Sequence, residues 1–344
     1  MFTRPMHELL DQIDRWLARG EQVALATVVR TMGSSPRQVG AQLAVSSGGG
    51  MVGSVSGGCI EGAVFEECQT ALRTQTARLL QFGVADETAW EVGLACGGEI
   101  QVLVQPLVHY AQLRTAVQAG QPLATATVIA GREPLGRQIL VEPAGRYHDS
   151  FGDVDLEARV AAVAQTWLGA GTTGLYQDPD QQVTVFIASL VPPPVLYLVG
   201  GVHIAVALAP MARLAGFRTV VVDARAAFAS PERFDHADEL LVAWPDEALA
   251  GRLDARSAVA VLTHDPKLDD PALRVALASP ARYVGALGSK TTHQRRLERL
   301  RAEGLSEAQL ARIHGPIGLA LGAKTPAEIA VSILAEIVQV WRAA

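Results

Sequence analysis

The sequence predicts an α/β protein, with a mixed α/β N-terminal domain over residues 1–190 and a Rossmann-like parallel-sheet C-terminal domain over residues 195–344. Three observations carry this expectation. The chain has 344 residues, enough for two domain-sized cores. The run Val191-Pro192-Pro193-Pro194-Val195 breaks the chain between two strand signals. Beyond it, short apolar runs alternate with helical segments, the pattern of a parallel sheet covered on both faces.

The elements of the first domain follow in order. Met6, Leu9, Leu10, Ile13 and Leu17 share one helical face, and Gly20 stops that helix. Residues 23–31 and 41–46 read as strands on either side of the polar loop Gly33-Ser34-Ser35-Pro36-Arg37. A glycine-rich turn leads to a short strand over 51–55, and Ser56-Gly57-Gly58-Cys59-Ile60-Glu61 opens a helix that runs to Leu72. Strands over 77–82 and 99–107 close the unit. From about 109 to 190 the signals weaken to strands over 123–130, 137–142 and 183–190 and a helix over 160–168. This stretch reads as a connector that continues the first domain. No internal repeat and no low-complexity segment is legible.

The second domain is more regular. Residues 195–199 form an apolar run of buried parallel-strand type, 203–216 a helix, and 217–225 a strand that ends near Asp223. Residues 240–244, 257–263 and 281–287 supply three further strands. Thr325-Pro326-Ala327-Glu328 has the spacing of a capping box with proline at the first helical position. Ile329, Ile333, Ile337, Val340 and Trp341 then form the buried stripe of a final helix.

Composition excludes several functions. Lys plus Arg total 29 against 35 Asp plus Glu, giving a net charge of −6, and aromatics are 5%. Neither a basic footprint nor a base-stacking surface is present, so nucleic acid is not an expected partner. Between Asp180 and Arg213 there is no Asp, Glu, Lys or Arg, a length that could cross a bilayer. The triple proline and Gly200-Gly201 interrupt it, so no membrane span is expected. The N-terminus lacks a continuous apolar run, and the 3 cysteines, Cys59, Cys68 and Cys96, cannot all pair within one chain. Free thiols and a cytoplasmic location are the expectation.

The nucleotide-fold signature is Gly200-Gly201-Val202-His203-Ile204-Ala205, followed by Asp223 where an acid faces ribose hydroxyls. Val202 occupies the position at which glycine lets a pyrophosphate approach, so the fold signal exceeds the ligand signal. The helix start still offers N–H groups to a smaller phosphate. His264-Asp265 and Gly288-Ser289-Lys290 follow later strands and line the same edge. Gly288-Ser289-Lys290 suits an anion, and a solvated helix start explains it equally. His264, Asp265, Asp269 and Asp270 could be read as a metal cluster, or Asp269 or Asp270 as the cap of a helix starting near Pro271. Without His-x-x-x-His or Cys-x-x-Cys spacing, no metal site is expected. His293 and His314 read as structural or exposed.

In the first domain, Cys59 follows Gly57-Gly58 at a helix start, a place that favours thiolate, and Glu61 opposes this unless it caps the backbone. Cys96-Gly97-Gly98-Glu99 repeats the glycine–cysteine association just before a strand, and Cys68 reads as packing. Ser34, Ser35 and Arg37 fit phosphate or carboxylate recognition, or a plain turn.

The strings GSSPRQVGA, GSVSGGCIEGAV and LACGGEI, with VVDARAAFASPERF, LTHDPKLDDPAL, YVGALGSKTTHQRRLERL and GPIGLALGAKTPAEIAVSILAEI, resemble the XdhC/CoxI family. These are the maturation factors of xanthine dehydrogenase and carbon monoxide dehydrogenase. The resemblance implies a protein that binds molybdenum cofactor (molybdopterin), protects it, assists its sulfuration and inserts it into a molybdenum hydroxylase. It implies an accessory protein rather than a turnover enzyme. Its cysteines fall on Cys59 and Cys96, expected at the metal end beside Gly57, Gly58 and Glu61, with polar contacts from Ser34, Ser35 and Arg37. Gly200, Gly201, His203, Asp223, His264, Asp265, Gly288, Ser289 and Lys290 would hold the pterin phosphate or a separate nucleotide. The chain departs from the family's Gly-Ala-Gly-His at Val202. Expected partners are a client such as xanthine dehydrogenase, a cysteine desulfurase and further copies of the chain as a homo-oligomer. The alternative function is an NAD(P)-dependent oxidoreductase.

Overall fold

The computed structural model describes residues 5–35, 37–83, 98–180 and 182–343. The chain packs as two compact units, Thr3–Pro192 and a second that begins at Pro193, so the division falls inside the proline run.

The first unit begins with α1 (Pro5–Ala18), β1 (Val23–Met32), β2 (Gln42–Ser46), β3 (Met51–Gly53), α2 (Glu61–Thr74), β4 (Arg78–Phe82) and β5 (Glu99–Pro106). It continues with α3 (Tyr110–Gln118), β6 (Leu123–Ala130), β7 (Gln138–Val141), β8 (Tyr147–His148), α4 (Val154–Ala170), β9 (Gly174–Gln177) and β10 (Thr184–Leu190). The strands form two antiparallel 5-stranded sheets, ordered β3-β2-β1-β5-β4 and β8-β7-β6-β10-β9. Each half therefore runs helix, three strands, helix, two strands, with the same strand order.

The stretch after residue 109 is thus no connector, and the chain does contain an internal repeat. Local bonding repeats as well. Gln42 donates from Nε2 to Thr27 Oγ1 at 3.4 Å across β1–β2, and Gln138 donates to Thr127 at 2.7 Å across β6–β7. The Val28 N–H donates to the Ala41 carbonyl while its own carbonyl accepts from Gly40; Val128 does the same with Arg137 and Gly136. Backbone register is shared while most side chains and two connection lengths differ, which is why the repeat is invisible in sequence.

In the first half, Val28, Val102 and Val104 pack under Val64, Cys68 and Ala71 of α2. In the second half, Ala126, Val128 and Val185 pack under Leu156, Val160 and Ala164 of α4. Val29 and Leu103 of one sheet meet Ile129 and Phe186 of the other, giving layers of helix, sheet, sheet and helix. Each fully buried Val or Leu in these layers contributes about 1.5–3 kcal/mol. Cys68 is one of these core residues, and burial pushes its thiol up to about 12, so it stays protonated and inert.

The second unit comprises β11 (Val195–Val199), α5 (His203–Leu214), β12 (Arg218–Val222), β13 (Glu239–Leu241), α6 (Pro245–Leu249), β14 (Ser257–Val261) and α7 (Pro266–Ala278). β15 (Tyr283–Ala286), α8 (Lys290–Ala302), α9 (Glu307–Leu310), β16 (Ile313–His314) and α10 (Pro326–Arg342) complete it. The 6-stranded parallel sheet has the order β13-β12-β11-β14-β15-β16, the dinucleotide-fold order, with β16 added to the five strands expected. α5 and α10 cover one face, while α6 and α7 with Leu300 and Leu310 cover the other. The Thr325–Glu328 capping box forms as its spacing predicts. Helix α7 differs from expectation: Asp265, not Asp269 or Asp270, caps it, accepting from Lys267 N at 3.0 Å. Pro266 follows at the first turn, where a missing N–H loses nothing, so the helix starts well before Pro271. Among the described residues no helix is long and apolar enough to cross a membrane.

Candidate functional site

The loop from β3 to α2 is organised around one carboxylate. Glu61 Oε1 accepts from Ser54 Oγ at 2.7 Å and from the N–H groups of Val55, Ser56 and Gly57 at 3.2, 2.9 and 3.0 Å. Its Oε2 accepts from Gly58 N at 2.8 Å and from the Ser56 hydroxyl in a short bond. Burial alone would raise this carboxyl. The hydroxyls of Ser56 and Ser54 and the backbone donors outweigh it and hold the group at about 2. Glu61 is therefore an ionised capping group rather than a free charge beside the thiol.

Cys59 sits on this loop with its side chain exposed. Helix α2 starts at Glu61, so Cys59 precedes the helix and its N–H donates to Ser56 Oγ at 3.0 Å. Gly57 and Gly58 have φ of 81° and 121°, values that L side chains avoid. These two glycines turn the loop outward and leave the sulfur at the surface.

Two further motif segments meet this loop. Arg37, half-buried in the β1–β2 connection, donates from Nε to the Ser54 carbonyl at 3.2 Å. Ser35 donates to the Arg37 carbonyl at 2.8 Å, so its hydroxyl shapes the loop, whereas Ser34 is exposed. Gly98, just before β5, lies so close to the Ser34 carbonyl that a Cβ there would collide with it. The polar loop thus joins the thiol loop on one side and the end of the second glycine–cysteine string on the other. Cys96 and Gly97 lie outside the described residues. Sequence reasoning missed Ser54 and Ser56; two serines ahead of Gly-Gly, with a glutamate after, were the available signal.

In the second unit the remaining expected residues lie just beyond the carboxyl ends of four strands, β11, β12, β14 and β15. After β11, the Gly201 N–H donates to Asp223 Oδ2 at 2.9 Å, and a Cβ on Gly201 would strike the Phe228 carbonyl. Asp223 is 0% exposed and is gripped by Arg225, whose Nε and Nη2 lie 2.9 and 2.7 Å away. Burial opposes its ionisation, but Arg225 and the two backbone donors win, and its carboxyl is lowered. The acid expected at a ribose is therefore committed to the glycine turn and to Arg225, a residue that the sequence reading passed over. The Arg225 guanidinium in turn lies 3.8 Å from the Phe228 ring centroid. Gly200 packs against Thr263, and His203 is exposed at the first position of α5.

After β14, His264 is exposed and Asp265 is the α7 cap already described. Asp269 and Asp270 pair with Arg296 at 3.2 Å and Arg299 at 2.6 Å. Among the described residues no cluster of three or more His, Cys, Asp or Glu is placed to hold a metal ion. After β15, Ser289 caps α8, accepting from Thr292 N at 3.1 Å, with Gly288 before it and Lys290 exposed after it.

Fold and site together define a two-unit protein: a duplicated sheet unit presenting a thiol loop, and a dinucleotide-fold unit. The family comparisons agree. The model described as "XdhC Rossmann domain" matches residues 196–337, and that of the "XdhC and CoxI family" matches 16–83 and 116–177, one stretch in each half of the first unit. The chain belongs to the XdhC and CoxI family.

Over 341 residues it is 28% identical to a Bacillus subtilis protein named as a probable xanthine dehydrogenase component, covering 97% of this chain and 96% of that one. It is 28% identical over 328 residues to the molybdenum cofactor insertion chaperone PaoD of Escherichia coli, covering 94% and 85%. Its fold matches a crystal structure of a xanthine dehydrogenase from Bacillus halodurans with a TM-score of 0.77 at 24% identity, over 97% and 96% of the two chains.

Proposed function

We propose that this protein is a maturation factor that takes molybdenum cofactor as cargo, shelters it and delivers it to a xanthine dehydrogenase-type molybdenum hydroxylase. The observation that carries the reading is the exposed Cys59 thiol on a loop locked by Glu61 and tied to Arg37. The cargo is an anionic pterin with a phosphate and a sulfur-bound metal. A soft sulfur ligand suits its metal end, and Arg37 with the Ser34 hydroxyl suits its polar periphery. A loop fixed before the ligand arrives loses little conformational freedom on binding. Cys96 would add a second thiol. In this reading the protein also assists sulfuration, with a cysteine desulfurase as the source of sulfur, and works as a homo-oligomer in the cytoplasm.

The test is anaerobic purification from a host that makes molybdopterin, followed by pterin fluorescence and molybdenum analysis. Native protein should carry pterin, and Cys59→Ser should lower retention about tenfold or more. Retention and client activation unchanged in Cys59→Ser would remove the thiol from the mechanism. The NAD(P)-dependent oxidoreductase reading has less support, because Asp223 is bound to Gly201 and Arg225 and Val202 stands in the turn. Titration with NADH and NADPH is expected to show no saturable fluorescence change.

A further inference from the structure

We infer that the second unit binds a phosphate group at the turn between β15 and α8, and not at the glycine turn after β11. The inference is independent of the cargo reading; the ligand class is a phosphate monoester, whether carried by a pterin or by a nucleotide.

Both turns feed a helix start at the same edge of the parallel sheet and each carries an Arg–Asp pair, yet they differ in whether donors are left over. At α5 an arriving anion meets the Asp223 carboxylate on the Gly201 N–H and the Phe228 carbonyl above it. The Gly201 N–H is thereby committed to Asp223, and so are Nε and Nη2 of Arg225, so none of these donors is left for a phosphate oxygen.

At α8 a buried guanidinium beneath the turn has donors left over. Arg296 is only 1% exposed. Its Nη2 donates to the Leu287 carbonyl at 2.8 Å and to Asp269 Oδ2 at 3.2 Å. Among the described residues its Nε and Nη1 have no hydrogen-bond partner, although both are buried. Nη1 lies 3.8 Å from the point that a Cβ on Gly288 would occupy, so the guanidinium stands directly behind the turn. A buried donor without a partner is costly, and folded proteins keep such groups where water or a ligand answers them.

The rest of the turn fits an oxyanion. Gly288, at φ of 148°, presents bare backbone. Ser289 Oγ and Thr292 Oγ1 lie 3.0 Å apart at the first turn of α8, a helix of 13 residues whose positive end faces the same way. Lys290 adds an exposed cation. Asp269 does not cancel the site, because its carboxylate is already engaged by Thr263 and Arg296.

The test uses the full chain and inorganic phosphate, followed by calorimetry, with circular dichroism as a check on folding. Saturable binding is expected in the native protein. Lys290→Ala and Arg296→Lys should each weaken it about tenfold, while His203→Ala at the other turn should leave it unchanged. If Arg296→Lys does not fold, Lys290→Ala decides. No saturation up to about 10 mM phosphate, or unchanged affinity in Lys290→Ala, or loss in His203→Ala, would each overturn the assignment. Competition by AMP identifies a nucleotide source, and competition by an oxidised pterin phosphate but not its dephosphorylated form identifies a pterin; either supports the site. Because phosphate binding is read without cargo, it can fail while Cys59-dependent pterin retention stands, and the reverse.

Discussion

The two halves of the first unit share a strand order but treat the same helix start in opposite ways. In the second half α4 begins at Val154, with the Asp153 side chain accepting from Leu156 N at 2.9 Å, and Glu157 gathers Ser150 Oγ, Phe151 N and Gly152 N at 2.6, 2.7 and 3.1 Å. In the first half Glu61 gathers the equivalent donors, but Gly57-Gly58-Cys59-Ile60 stay outside α2. With the two glutamates superposed, Gly57 stands for Asp153, Gly58 for Val154 and Cys59 for Asp155. One turn that is wound in the second copy is thus opened in the first, and a thiol replaces a carboxylate.

The connections follow the same rule. The first half runs from Val28 to Gly40 where the second runs from Val128 to Gly136, and from Phe82 to Glu99 where the second runs from Gln177 to Thr184. Ser34, Ser35, Arg37 and Cys96 all belong to the longer versions. A repeated scaffold keeps one copy compact, and the candidate site residues enter the other through loops, which tolerate insertion better than strands do.

The largest expected effects separate support from chemistry. Glu61→Gln and Glu157→Gln should each destabilise the unit by about 2 kcal/mol, measured by urea unfolding, because an amide cannot accept from every donor around it. Only Glu61→Gln should also change the alkylation rate of Cys59, several-fold; equal rates in the two variants would show that Glu61 does nothing for the thiol. Gly58→Val, which imports the second-half residue at φ of 121°, should cost about 2 kcal/mol. Val154→Gly, the reverse exchange at a helix start, should cost about 1 kcal/mol or less. Comparable losses would mean that the open turn is not strained for other residues. Asp153→Ala should cost about 1 kcal/mol through its lost cap and leave cargo retention untouched.

Acid offers a milder probe of the same loop. The Glu61 carboxyl lies at about 2 in the folded chain against an ordinary 4.5. A depressed acid contributes stability that is complete above the ordinary value and is lost as pH falls toward 2. Unfolding measured between pH 5 and about 2 should therefore show a stability decline that is smaller in Glu61→Gln than in the native chain.

Much of this was legible in sequence because it depends on local physics. The Pro192-Pro193-Pro194 break, the α1 stripe, the parallel-strand runs and the Thr325 cap follow from residue geometry alone. The motif strings around Cys59 and Lys290 were visible too, and so was the family. The expected start of α7 at Pro271 failed because Asp265 and Pro266 make a better cap, a competition between local signals.

What the chain's own order of residues determined, then, was where most elements lie, which faces are apolar and which motif strings mark the family. Tertiary structure alone decided that residues after 109 repeat the first half, that Glu61 gathers a loop, that Arg225 occupies Asp223, and that Arg296 lies buried behind Gly288. The first is a backbone register that many side-chain sets satisfy, and the other three are contacts between near neighbours in sequence whose partners only the folded loop backbone selects. Neither leaves a periodic trace, because hydrogen-bond partners are selected by proximity in the folded chain and not by spacing along it.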